Sequence, residues 1–90
     1  MVDFSLVLPM YNEEDIAEQV IKDIQKVFNK EGIDYEIVAV DNGSKDKTKQ
    51  IIDNIKKFNT NVKLIHIKVN RGYGYGIISG LNKAQAKVIG

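Results

Sequence analysis

Val40-Asp41-Asn42-Gly43-Ser44-Lys45-Asp46-Lys47-Thr48 continues directly from Tyr35-Glu36-Ile37-Val38-Ala39. The segment 35–40 is nearly all apolar, as expected of a central parallel strand covered on both faces. It exits through a carboxylate and a carboxamide, bends at Gly43, and meets Ser44, a residue type suited to capping the next helix. A buried strand that passes at once into a helix is the repeating unit of an α/β sheet. The same unit recurs on either side of this one.

Upstream, a strand over Phe4-Ser5-Leu6-Val7-Leu8 is expected to stop at Pro9, which cannot donate a ladder hydrogen bond. Asn12 is the candidate cap of the following helix, with Glu13, Glu14 and Asp15 in a first turn where the macrodipole favours acids. Ile16, Val20, Ile21, Ile24, Val27 and Phe28 recur at helical spacing and predict one buried stripe, ended by Gly32. Downstream, Ile51, Ile52, Ile55 and Phe58 predict the buried face of a second helix. A third strand over Val62–Val69 alternates with Lys63, His66 and Lys68, the pattern of a strand near an edge. A glycine-rich turn over 70–76 then leads to a short helix carrying Ile77, Ile78, Leu81 and Ala84, and Val88-Ile89 begins a fourth strand. The expected fold is α/β, three-layered, with a mostly parallel sheet and helices on both faces.

Ninety residues make one domain or part of one. Thirteen basic against twelve acidic residues give a net charge of +1, which supports neither a nucleic-acid binder nor a membrane-surface binder. The absence of cysteine rules out disulfides and thiolate metal sites. Neither a signal peptide nor an apolar run of about 20 residues is present, so a cytoplasmic chain without a membrane segment is expected.

Parallel sheets bind ligands beyond the carboxyl ends of their strands, where all three unusual loops fall. The first of these, Pro9-Met10-Tyr11-Asn12, has no glycine, and the glycines after the third strand do not match G-x-G-x-x-G. A phosphate-binding G-x-x-x-x-G-K-[ST] loop is also absent, which argues against an ordinary dinucleotide or ATP site. What survives is recognition of a base and ribose by polar side chains. Asp41 can accept from ribose hydroxyls or a base N–H, Asn42 offers a donor and an acceptor, and Tyr11 can stack on a base. Such a site lacks cations for a diphosphate, which makes a divalent metal the missing partner.

The pattern resembles the family 2 glycosyltransferases of the GT-A fold over essentially the whole chain. Pro9-Met10-Tyr11-Asn12-Glu13-Glu14 matches P-x-Y-N-E-E, and 40–48 match V-D-D-G-S-x-D-x-T with Asn42 in place of the second aspartate. Asn70-Arg71-Gly72-Tyr73-Gly74 matches N-x-G-x-G. The resemblance implies a truncated, Rossmann-like half of the GT-A fold, with residues 1–90 as its N-terminal nucleotide-binding part. Pro9, Tyr11 and Glu13 would lie around the nucleoside, Asp41 and Asn42 would contact base or ribose, and Arg71 would lie near the base or phosphates. The carboxamide at 42 leans towards a pyrimidine donor. The family's D-x-D motif, which holds Mn2+ or Mg2+ against the donor diphosphate, does not occur before Gly90. A nucleotide-diphosphate sugar is therefore the implied partner, and a hydroxyl or polyprenyl phosphate the implied acceptor. The chain alone is expected to hold no metal, bind nucleotide weakly and transfer nothing.

The rival expectation is a non-catalytic, self-associating module. In the family's strand order 3-2-1-4, a missing fourth strand leaves the first strand's edge unpaired and open to a second copy. His66 reads as structural, with no companion base in view. Asp46 reads as a helix-dipole residue, and the lysines of the second helix as a solvated face.

Overall fold

The computed structural model describes residues 2–69, 72, 74, 76, 78, 80, 88 and 89. Four parallel strands, β1 (Phe4–Met10), β2 (Tyr35–Asn42), β3 (Val62–Ile67) and β4 (Val88–Ile89), form one sheet in the order β3-β2-β1-β4. Helices α1 (Ala17–Glu31) and α2 (Thr48–Phe58) make the crossovers between β1, β2 and β3. All eight residues of β2 are buried, in keeping with its apolar sequence and central place. As expected, β3 forms an edge of the sheet.

The alternation of strand side chains sorts the core into two layers. Ile37 and Ala39 of β2, with Met10 and Val62, pack under Ala17 and Ile21 of α1 and Ile52 and Ile55 of α2. Val38 and Val40 face the opposite way with Val7. That second face is closed by the helical positions Gly76 and Gly80, since a Cβ at Gly80 would overlap Val7 Cγ1 and lie 3.2 Å from Val40 Cγ2. Helices therefore cover both faces, and the three-layer expectation holds. Ile77, Leu81 and Ala84 lie outside the described residues.

Several local expectations are corrected. β1 does not stop at Pro9; it pairs Pro9 with Val40 and Met10 with Asp41. The Phe4 N–H bonds the Asp34 carbonyl beside β2, so the even-numbered residues of β1 turn their backbone groups towards β2. Pro9 then faces the outer edge, and the ladder to β2 loses nothing by its missing donor. α1 begins at Ala17 rather than after Asn12, with the Glu13 carbonyl accepting from Ile16 and Ala17 N–H. Its buried stripe is narrower than predicted, because Ile16 and Val27 are exposed. Its end is as expected: Gly32 adopts φ 68°, its N–H bonds the Asn29 carbonyl, and the Ile33 N–H bonds the Phe28 carbonyl, a Schellman pattern. Phe58 is not buried but 86% exposed. It is the last residue of α2, one turn past Ile55, where the chain turns through Asn59 to start β3.

The expectation of an unpaired edge on β1 also changes. Val88 and Ile89 pair with Phe4 and Ser5, so that edge is covered where β1 begins.

Candidate nucleotide-binding site

The loops leaving β1 and β2 lie side by side because Met10 and Asp41, the neighbouring strand ends, are in register. They are joined to each other as well as to their own helices. The Asn12 N–H donates to Ser44 Oγ at 2.9 Å, and the Lys45 N–H donates to Asn12 Oδ1 at 2.8 Å. The Glu13 N–H donates to Thr48 Oγ1 at 2.9 Å, and the Glu14 N–H to Asp46 Oδ2 at 3.1 Å. Asn12 and Ser44, expected as helix caps, thus serve each other's loop. Both bends need left-handed backbone, at Asn12 (φ 51°) and Gly43 (φ 75°).

Asp46 performs the capping that Ser44 was expected to supply. Its Oδ1 accepts from the Thr48 N–H at 2.9 Å and from the Thr48 hydroxyl. Desolvation pulls its carboxyl pKa upward, but the hydrogen bonds from the Thr48 side chain and from backbone N–H groups outweigh it and hold the pKa below the usual carboxylate value.

Tyr11 is 43% exposed and stands at a cleft of about 380 Å³ with Gly43, Ser44, Lys45, Lys68 and Val69. The expected scarcity of cations is corrected here, since two lysines line the cleft. Pro9 is half-buried in β1, and Glu13 is half-buried in the loop. Asp41 is 0% exposed and lies beneath the loop. Its Oδ1 accepts from the Ser44 N–H at 3.2 Å, and its Oδ2 is 2.9 Å from His66 Nδ1. Asn42 is buried on the other face of β2, and its Nδ2 donates to the Gly72 carbonyl at 2.8 Å. Arg71 lies outside the described residues.

Two residues gained a role that the sequence reading did not give them. His66 was read as structural, yet it pairs with the strand-end aspartate across the β2–β3 register. Thr48 joins the α2 start to the β1 loop. The third-strand alternation places His66 and Lys68 on one face, but only the register brings His66 to Asp41.

Replacing Asn12 tests the junction. Asn12→Ala is expected to cost about 2 kcal/mol, combining the αL strain that asparagine tolerates better than alanine with the lost acceptor for Lys45. Asn12→Gly removes the acceptor without the strain and is expected to cost about 1 kcal/mol. Urea denaturation checks both, and an alanine variant as stable as the glycine one would refute the strain component.

The sequence profile of the family described as Glycosyl transferase family 2 matches residues 5–90. The chain belongs to glycosyl transferase family 2. It is 37% identical over 89 residues to an uncharacterized glycosyltransferase of Synechocystis sp., covering 98% of this chain and 28% of that protein. It is 30% identical over 90 residues to a dolichyl-phosphate beta-glucosyltransferase of Dictyostelium discoideum, covering 92% of this chain and 28% of that protein. Among solved structures, a mannosyltransferase of Pyrobaculum calidifontis in complex with GDP-Man and Mn2+ superposes with a TM-score of 0.83 at 20% identity. The overlap is 96% of this chain and 25% of that one, a likeness of fold. This family 2 chain thus spans about a quarter of the length of the relatives it matches. Among its described residues no helix is long and apolar enough to cross a membrane.

Proposed function

We propose that the joined β1 and β2 loops hold the nucleoside of a nucleotide-diphosphate-sugar donor. In this reading residues 1–90 form the N-terminal, nucleotide-binding part of a family 2 glycosyltransferase. The whole enzyme moves the sugar to a hydroxyl or polyprenyl-phosphate acceptor from the cytoplasmic side. The observation that carries this reading is the set of loop-to-loop hydrogen bonds, which fixes the cleft wall while leaving the Tyr11 ring half-exposed beside it. A preformed cleft spares the ligand the cost of ordering its own site.

Tyr11 offers its ring face to the base, with Pro9 and Glu13 behind it. Lys45 and Lys68 bring positive charge to the same cleft and favour the anionic part of a nucleotide. Asp41 is assigned to base or ribose from beneath the 43–45 segment, Asn42 from the opposite face of the same strand end, and Arg71, which follows β3 in the sequence, to the base or phosphates. The Asp41 carboxylate has two protein donors and retains acceptor capacity. Because it is closed from solvent, a direct ligand contact requires the 43–45 segment to yield. The related mannosyltransferase structure holds GDP-Man with Mn2+, and the relative in Dictyostelium is named for a dolichyl-phosphate acceptor. Among the described residues no three His, Cys, Asp or Glu side chains gather as a metal site needs, so these residues do not fit a metal of their own. Their work is to bind and orient the nucleoside.

Calorimetric titration of the 90-residue chain with UDP, GDP and dTDP, with and without Mn2+, tests the reading. Binding near the millimolar level, about −4 kcal/mol, is expected, with the pyrimidine nucleotides ahead and no dependence on metal. Binding by none of the three would overturn it.

Among the described residues β4 pairs with β1 at Phe4 and Ser5 alone, and a second reading is self-association through the rest of that edge. Pro9 lies within that part of the edge and removes one donor, which limits the pairing available. Sedimentation across a concentration series is expected to show weak dimerisation, and a monomer at every concentration would dismiss it.

A further inference from the structure

We propose that His66 is a positioning residue for the nucleotide-binding loops, acting through the buried carboxylate of Asp41. The inference rests on the nucleotide reading above and adds a residue to it.

His66 stands opposite Asp41 in the β2–β3 register, and its Nδ1 is 2.9 Å from Asp41 Oδ2. An ionised carboxylate only accepts, so Nδ1 carries the proton and donates it to the bond. The other carboxylate oxygen accepts from the Ser44 N–H at 3.2 Å. Ser44 Oγ in turn accepts from the Asn12 N–H, and Asn12 Oδ1 from the Lys45 N–H. A continuous series of hydrogen bonds therefore runs from a side chain of β3 to both loops and to two walls of the Tyr11 cleft.

A carboxylate with no solvent exposure depends on every donor it has. Removing the His66 donor frees the Asp41 carboxylate to turn, and turning releases the Ser44 amide. The loop geometry is thus set in part from β3, the neighbouring strand. The ring side chain is 35% exposed, so it reaches the surface next to Lys68 while its Nδ1 is held inside.

The test compares His66→Asn with His66→Gln in the 90-residue chain. The asparagine amide nitrogen falls where Nδ1 was, whereas the glutamine nitrogen falls near the place of Nε2. Amide hydrogen exchange is followed by NMR at Ser44, Lys45 and Asn12, with Val38 as a core reference, and UDP affinity is titrated in parallel. His66→Asn is expected to exchange within about twofold of the wild type, and His66→Gln about tenfold faster at the three loop amides with Val38 unchanged. UDP affinity should fall about three- to tenfold in the glutamine variant only. Equal behaviour of the two variants overturns the proposal. So does a glutamine variant whose Val38 exchange rises as much as its loop exchange, or which unfolds, since His66 would then act on global stability. If the wild-type chain binds no nucleotide, the functional reading fails, and the exchange data alone still decide whether His66 sets the loops.

Discussion

Gly80→Ala is expected to destabilise the fold by about 1–3 kcal/mol, although alanine is the better helix former by about 1 kcal/mol. The two effects have opposite signs, so the measurement decides between them. Gly80 occupies a helical position pressed on the second face of the sheet, where an added Cβ would overlap Val7 Cγ1 and crowd Val40 Cγ2 at 3.2 Å. Valine is stiff at χ1, so its methyl cannot swing aside as the end of a long side chain would. The helix must lift, and with it the packing against Val40. A urea midpoint shifted down with an unchanged slope is the expected signature. In a Val7→Ala background the overlapping methyl is gone, and Gly80→Ala should become neutral or stabilising. If the substitution stabilises the unmodified chain, the close approach is not what holds glycine at this position. Gly76→Ala meets a gentler limit, 3.3 Å from Asn42 Nδ2, and is expected to act mainly by straining the Asn42–Gly72 bond.

The layers were legible in the sequence because burial on a strand leaves a local record. A nearly all-apolar run at 35–40 becomes a strand buried on both faces, and the alternating 62–69 becomes an edge. The Gly32 stop was readable for the same reason, since a Schellman ending involves only residues of the last turn. Pro9 shows the limit of such reasoning. Its lost donor matters only if it faces a partner strand, and which edge it faces depends on pairing that no local window contains.

The candidate site was legible in its parts list and not in its wiring. Asn12 and Ser44 have the chemistry of helix caps, and capping is the local use of that chemistry. Their actual partners are more than thirty residues away, reached only once β1 and β2 are in register. Asp41 and Asn42 were read as groups open to a ligand because they end a strand. Burial instead turns them to opposite faces of β2, one towards His66 and the other towards Gly72. Lys68 entered the cleft from a strand whose lysines had been read only as signs of an edge.

Lys63 carries the other large expected effect, far from the loops. Ser5 and Glu36 face each other at the start of β1 and β2, and the Ser5 hydroxyl donates to Glu36 Oε2. Lys63 Nζ lies 2.6 Å from Glu36 Oε1, with the glutamate side chain 2% exposed and the lysine 26% exposed. The pair is asymmetric: the lysine can still reach water, whereas the carboxylate cannot. Lys63→Met therefore removes a close cation from a carboxylate that is shut off from water, a loss expected to cost about 3 kcal/mol. Glu36→Leu combined with Lys63→Met removes both charges and should recover most of that loss, because desolvating the pair consumes much of its attraction. Chemical denaturation of the singles and the double closes the cycle. A Lys63→Met chain as stable as the wild type would mean that Glu36 is already adequately held by its other contacts. The same variant should leave amide exchange at Ser44 and Lys45 unchanged, because the two ends of β2 hold their carboxylates by separate partners: Glu36 steadies the sheet at its base, and Asp41 shapes the loops at its mouth.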